Sequence, residues 1–565
     1  MKWLTSGPLP CPVSERRFDL RDWLVILVFL LFAAFYFMAR LQRSLPAPLV
    51  WGDSANIASF AAALDYPQNF QGDALLHDLD NIRIYSTIQI PLIRLFYRWV
   101  DDYGLSFLLL LGPTVFLQLT GFYLLGRAIF TSRYWALLFS LASAIPTTVV
   151  LQEFWGIVDN PLPRFTFQAL LPFVMALFWV WRERPLRWPL VMMLAGLLVY
   201  IHPVSTPAWI AAFWLGCVLY LPGHWRGWQK AAWLVSLGAA ALLVMLPFIY
   251  NYLTYHESGQ TANNALLLQV LYEQFPENLL NPPAAIAELL RDSMDSGLML
   301  FGLTGFLVLW WLKAGERQEL ILTLVWLGGV LMVSVAVPML ERIVERIFNL
   351  SPFETELLRG IRYFHFFMIL YAMWGLSELW RKARHRYLAY GIAVLGLLPL
   401  VVFALPNLDR LYRYIDWKPL IACWTTGKPI CPAENDFYSL IQAIRQQTPE
   451  DGRFYYSPSA YDTASLPLRY LTLRSLVYSY KDRGLLAYSN TADLEQWYQT
   501  MTEASSYKSD KIWLRRDPVG LRRFLDRLGT DYLIVNFPVI PERAKDFGAN
   551  IVYQNESFTL LHLIR

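Results

Sequence analysis

Apolar runs close to the ~20 residues needed to cross a bilayer recur through the first 405 positions of this 565-residue chain. Eleven can be read: 23–41, 105–125, 134–151, 165–181, 188–203, 207–221, 231–250, 297–312, 319–340, 361–380 and 387–405. Composition agrees, with 56% hydrophobic and 16% charged residues, against about 25% charged in a soluble protein. The fold class expected is an α-helical polytopic membrane protein.

Basic residues orient it. With the N-terminus inside, the short inner loops 126–133, 182–187, 222–230, 313–319 and 381–386 hold 13 Lys and Arg in 36 residues. The outer segments 42–104, 152–164, 202–207, 251–296 and 341–360 hold 9 in 148. That asymmetry follows the positive-inside rule. Residues 1–22, with Arg16, Arg17 and Arg21, read as a cytoplasmic N-terminus, and an odd span count places the C-terminus outside the plasma (inner) membrane. The first span is too long for a signal-peptide core and "FMARLQRSL" offers no small-residue cleavage site, so it reads as a retained anchor. The net charge of +4 follows from the inner-loop excess and points to no nucleic-acid partner.

Residues 406–565 change character and read as an extracytoplasmic α/β domain after a transmembrane domain over 23–405. "RFYYSP" (453–458) and "DYLIVNF" (531–537) have strand composition, while 493–506 and 517–529 read as helices. The closing "NIVYQNESFTLLHLIR" reads as a hairpin about "NES". Cys423 and Cys431 bracket "CWTTGKPIC" in this region; an oxidising exterior allows a disulfide there, two free thiols being the alternative. Cys11 and Cys217 carry no pattern. "NLS" (349–351) and "NES" (555–557) are formal glycosylation sequons, too frequent by chance to decide anything. No phosphate-binding glycine loop or paired CxxC is present. Few ionisable residues lie within the spans, which argues against an ion path through the bilayer.

Polar groups gather at the outer ends of the spans. The first outer segment, 42–104, contains "VWGDSANIASFAAAL", a short helix opened by Asp53. The carboxylate reads either as an N-cap or as a base at the membrane boundary. "QGDALLHDLDN" follows, with Asp73 after a turn-forming Gly72; Asp78 and Asp80 read as solvated loop residues, and His77 with them as a weak divalent-cation candidate. "TIQIPLIRLFYRWVDDYG" reads as an amphipathic helix, on the bilayer surface or packed on the bundle, with Arg94 and Arg98 facing headgroups in the first case.

This plan resembles the GT-C superfamily of integral-membrane glycosyltransferases. The shared features are a cytoplasmic N-terminus, one span, a large outer loop with an early acidic motif and interfacial helices, and a soluble tail. "WGDSANIASFAAAL" takes the place of the family's acidic motif, with Ser54 where a second acid is usual. "IQIPLIRLFYRW" resembles the helix that follows. The tail's "LRYLTLRSLVYSYKD" and "LGTDYLIVN" look like tails of uncharacterised bacterial membrane proteins grouped with the superfamily.

The resemblance implies inverting transfer of a sugar from a polyprenyl-phosphate carrier to an extracytoplasmic glycan, lipid or protein acceptor. Asp53 would be the base and Asp73 would assist. A divalent metal is left open, and no other cofactor is implied. Trp51 and Trp155 are candidates to stack on a sugar. "RGIRYFHFF" spaces Arg359, Arg362 and His365 along one helix face at headgroup depth, where arginine suits a phosphate and also snorkels. "QEFWGIVDNPLPRFTF" places Glu153 and Asp159 in a Pro-rich turn with Arg164, a second phosphate candidate; His202 stands at the mouth between the fifth and sixth spans. The alternatives are a non-catalytic transporter of lipid-linked substrate, a glycan-assembly factor, or a family member that binds glycan without turnover.

Overall fold

The computed structural model describes residues 19–564 apart from 48–49, 257–266, 274–280, 313–316, 349–355, 399–400, 402–415, 457–462, 507–516 and several single positions. The sequon at 349–351, Cys11 and the end of the 387–405 run lie outside the described residues.

The chain is mostly helical. Among the described residues, five helices are long and apolar enough to cross a membrane: Leu20–Ser44, Tyr103–Ile129, Pro163–Trp181, Gly227–Tyr255 and Arg317–Phe348. A sixth is formed if the bent pair Pro282–Asp295 and Leu298–Leu312 is one span. The other apolar runs form shorter or less apolar helices, so eleven crossings do not follow from helix length and composition. Pro185–Tyr200 and Thr206–Leu219 are short. Tyr363–Lys382 is 20 residues long but carries His365 and Glu378 among its buried side chains. The 134–151 run leaves the helix at Ala144, because Pro146 disfavours a helical Ile145. Its remainder forms β1 (Thr147–Thr148), paired antiparallel with β2 (Phe154–Trp155). Gly156 lets this ribbon turn back, since its φ is 92° and a Cβ there would stand 2.2 Å from the Ile145 carbonyl oxygen.

At the opposite end of the bundle, Asp19 caps the first helix by accepting from the Arg21 and Asp22 amides. Asp22 is buried and accepts from Tyr123 Oη (2.6 Å) and Arg133 Nε (3.2 Å), with Arg127 Nε at 3.0 Å. The start of the first helix is thereby tied to the 126–133 loop.

The C-terminal region holds a five-stranded sheet of order β4-β3-β5-β7-β6. Its strands are β3 (Arg453–Tyr455), β4 (Ser475–Leu476), β5 (Tyr532–Val535), β6 (Ala549–Gln554) and β7 (Thr559–Leu563). β3 lies parallel to β4 and to β5, and the β6–β7 hairpin completes the sheet antiparallel. Cys423 and Cys431 are disulfide-bonded, and Gln42 on the first helix exchanges two hydrogen bonds with the Cys431 backbone (2.6 and 2.8 Å).

The 50–104 segment does not share the core of the helical bundle. Ala58 and Ile93 are buried in one hydrophobic cluster with Leu440, Leu471 and Leu525 of the C-terminal region. Ala74 N donates to Leu476 O (2.9 Å), extending the β4 edge. Arg94, a headgroup candidate by sequence, instead pairs with Asp65 at 2.6 Å and so holds helix Gln89–Val100 to helix Asp53–Asp65. This compact cap meets the bundle around Asp53.

Candidate functional site

Asp53 is the first residue of its helix and not the cap. Gly52 occupies the N-cap with φ 56°, and no side chain caps this end. The carboxylate is therefore directed elsewhere. Oδ1 accepts from Lys481 Nζ at 2.7 Å and Oδ2 from Arg164 Nη2 at 3.3 Å. The side chain is 43% exposed and opens into a cavity of about 440 Å³ between bundle and cap. Burial raises the Asp53 pKa, but Lys481, Arg164 and the more distant Arg359 outweigh it and hold it at about 2. The positive end of the helix acts in the same sense.

Glu153, delivered by the β1–β2 ribbon, is the second charge centre. It is 1% exposed and receives three arginines: Arg164 Nη1 at 3.2 Å, Arg362 Nη1 at 2.9 Å, and Arg359. Burial raises its pKa, and the three guanidinium groups drive it well below the usual carboxylate range. Arg362 also donates to Ser205 Oγ (3.1 Å), which lies 3.0 Å from His202 Nδ1. Burial, followed by the Arg362 and Arg164 charges, pushes the His202 pKa down.

Asp53, Arg164, His202, Arg359 and Arg362 thus line one cavity, joined by Glu153, Tyr85, Asn56, Glu356, Lys481 and Arg483. Among these lining residues are five cationic side chains and three carboxylates, a positive excess that suits an anion. The Asn56 amide oxygen is buried without a hydrogen-bond partner among the described residues, an acceptor open to a ligand hydroxyl.

Five residues singled out in the sequence lie elsewhere. Asp73 is fully buried and accepts Arg469 Nη2 and Nε at 2.7 and 2.8 Å, so it joins loop to C-terminal region and does not line the cavity. Trp155 is 1% exposed and packs its ring on Phe122, Tyr363 and His365, which leaves no face for a sugar. His365 sits behind it, near Thr147 Oγ1 at 3.4 Å. Trp51 packs against Phe437 on the cap. Asp159, expected in the same turn as Arg164, turns away to Arg40 at 3.7 Å.

The residues do not fit a structural or catalytic dication. Among the described residues no three His, Cys, Asp or Glu side chains cluster as ligands. Asp53 and Glu153 already face ammonium or guanidinium groups, which a dication would have to displace. Of the sequence's cation candidates, His77 lies 3.5 Å from Asp493 and Asp80 pairs with Arg83 at 3.0 Å.

No family model and no curated protein matches this chain. Among solved structures it is similar to an oligosaccharyltransferase of Archaeoglobus fulgidus, described in complex with zinc and sulfate. Identity is 11%, the match covers 90% of this chain and 68% of that one, and the TM-score is 0.46.

Proposed function

We propose that this chain is an inverting GT-C-type glycosyltransferase that takes sugar from a polyprenyl-phosphate carrier. The supporting observation is that Asp53 and the arginines around Glu153 line one positively charged cavity. The acceptor, a glycan, lipid or protein hydroxyl, forms its bond to the anomeric carbon while the carbon–oxygen bond to the carrier phosphate breaks. Asp53 takes the acceptor proton, and the leaving electron pair stays on the phosphate, held by Arg164, Arg359 and Arg362. A planar guanidinium offers two parallel donors to such an oxyanion. The resemblance in sequence plan supplies the carrier class, and the apolar helices supply the membrane that carries it. In this reading the short helices complete eleven crossings, the N-terminus is cytoplasmic and the cavity opens on the outer face.

The paired state of Asp53 also suits a chain that binds lipid-linked sugar without turnover. Transfer from a labelled polyprenyl-phosphate sugar by the purified full chain separates the two. A general base contributes about 10²–10⁴-fold, so Asp53→Asn should lose at least about a hundredfold in rate, compared under conditions where both proteins are fully folded. Equal rates in the two proteins would remove Asp53 from the mechanism.

A further inference from the structure

Lys481 comes from the C-terminal region, 428 residues from Asp53 along the chain. It belongs to the turn Tyr480–Asp482, whose last residue is locked from behind. Asp482 accepts from Arg469 Nη1 and Nη2 at 2.6 and 2.8 Å, and Arg469 in turn grips Asp73. All three side chains of this triad are 0% exposed. The backbone under Lys481 is therefore fixed, while its own side chain is 38% exposed in the cavity. A four-carbon stem on a fixed base can move its ammonium group without moving the fold.

The cavity cations are not equivalent. Arg164, Arg359 and Arg362 are all held by buried Glu153. Lys481 makes its ion pair with Asp53 alone among the described residues. An oxyanion entering the cavity meets three arginines held by Glu153, of which Arg164 also reaches Asp53, Arg483 stacked over the Tyr480 ring, and Lys481, whose release would also free an oxygen of Asp53.

We propose that Lys481 is an exchangeable counter-ion: it occupies Asp53 in the empty site and transfers to the carrier phosphate when that binds, exposing the base only when a donor is present. The proposal deepens the glycosyl-transfer reading and rests on it for the role of Asp53. Asp73, Arg469 and Asp482 are positioning residues in this scheme, acting through the place they give Lys481.

Competition between a carboxylate and a phosphate for one ammonium group is read by a double-mutant cycle on binding, which needs no turnover. The probes are polyprenyl phosphate in mixed micelles and, in parallel, inorganic phosphate, titrated into the full chain. A charged hydrogen bond of this type is worth about tenfold in affinity. Lys481→Met should weaken polyprenyl-phosphate binding by about that factor, and Lys481→Arg should retain it. Asp53→Asn should tighten binding several-fold by releasing Lys481, and the double variant should lose that gain. The same pattern with inorganic phosphate supports recognition of the headgroup alone; the pattern with polyprenyl phosphate only adds the lipid to the recognised ligand. Wild-type binding with no tightening in Asp53→Asn overturns the exchange while leaving the glycosyl-transfer reading intact. Absence of binding to either probe overturns both.

Discussion

Replacing Arg469 by Met tests whether the buried triad joins the loop 50–104 to the C-terminal region. Arg469 makes four hydrogen bonds of 2.6–2.8 Å to two carboxylates, all without solvent. Methionine fills much of the same volume but leaves Asp73 and Asp482 facing each other uncompensated. Breaking a buried pair in this way costs about 3–5 kcal/mol, a large share of the 5–15 kcal/mol that typically separates folded from unfolded. Asp73 would retain the amides of Leu75, Leu76 and Leu476. The loss therefore falls on the junction and not on the bundle. Hydrogen exchange resolves this: amides at the junction, such as Ala74 bonded to Leu476, should exchange about a hundred- to several-thousandfold faster, at 1.4 kcal/mol per tenfold. Amides within Pro163–Trp181 should keep their protection. Junction protection within tenfold of wild type would refute the assignment. A second variant ranks the partners. Burial, offset in part by Arg469, raises the Asp482 pKa, so a neutral side chain is better tolerated there, and Asp482→Asn should cost less than Asp73→Asn.

For the proposed transfer, the pH dependence follows from Asp53, which is faced by Lys481, Arg164, Arg359 and Tyr85, with Glu153, Glu356, His202 and Arg362 across the cavity. Its pKa of about 2 keeps this carboxylate ionised in the free protein, so kcat/KM of the proposed transfer should show no acid limb from Asp53 down to about pH 3. Lys481→Met should move that limb up toward the ordinary ~3.9, and an unmoved limb would disconnect Lys481 from Asp53. Because the folded pKa is depressed, the ion pairs of Asp53 add stability above pH ~3.9 that is lost as pH falls toward ~2. The disulfide closes a loop with a sequence separation of 8, for which chain-entropy loss gives about 2–3 kcal/mol. A membrane-impermeant reductant applied to intact cells should cleave Cys423–Cys431 and loosen its docking on Gln42, and protection of the bond from that reagent would overturn the proposed orientation.

The cavity's bundle side was legible because charge is costly near a bilayer and stands out in apolar sequence: Arg164, Arg359, Arg362 and His202 each sit at the end of an apolar run. Asp53 stood out by its place after the first run, although its local reading as a cap failed because Gly52 takes that position. Glu153 read as part of a turn, since nothing local reveals that three arginines from other elements converge on it. Lys481 and Arg483 were missed for the same reason. "SYKDRG" is a dense charge cluster within an aromatic stretch, a visible signal, but its partner lies across a tertiary junction. For Asp73 the Gly-Asp turn was visible in sequence, and its pairing with Arg469 away from the cavity was not. In the C-terminal region, strands and hairpin followed from β-branched and aromatic runs between turn residues. In the bundle, apolar content counted residues without marking where Pro146 ends a helix.

Two buried charge clusters of similar composition lie in this protein, and their difference is informative. In the triad, one guanidinium is saturated by two carboxylates, and none of the three lines the cavity. Such a cluster can fix geometry but has nothing left to offer a ligand. Around Glu153 three guanidinium groups meet one buried carboxylate beside a cavity, with Arg164 shared with Asp53 and Arg359 with Glu356. With Lys481 and Arg483 the lining carries more cations than carboxylates, and unpaired charge at a junction is costly unless a ligand meets it. The positive excess is relieved when an anion enters. The closed cluster holds Lys481 in place, and the open one leaves room for the phosphate that would draw it off Asp53.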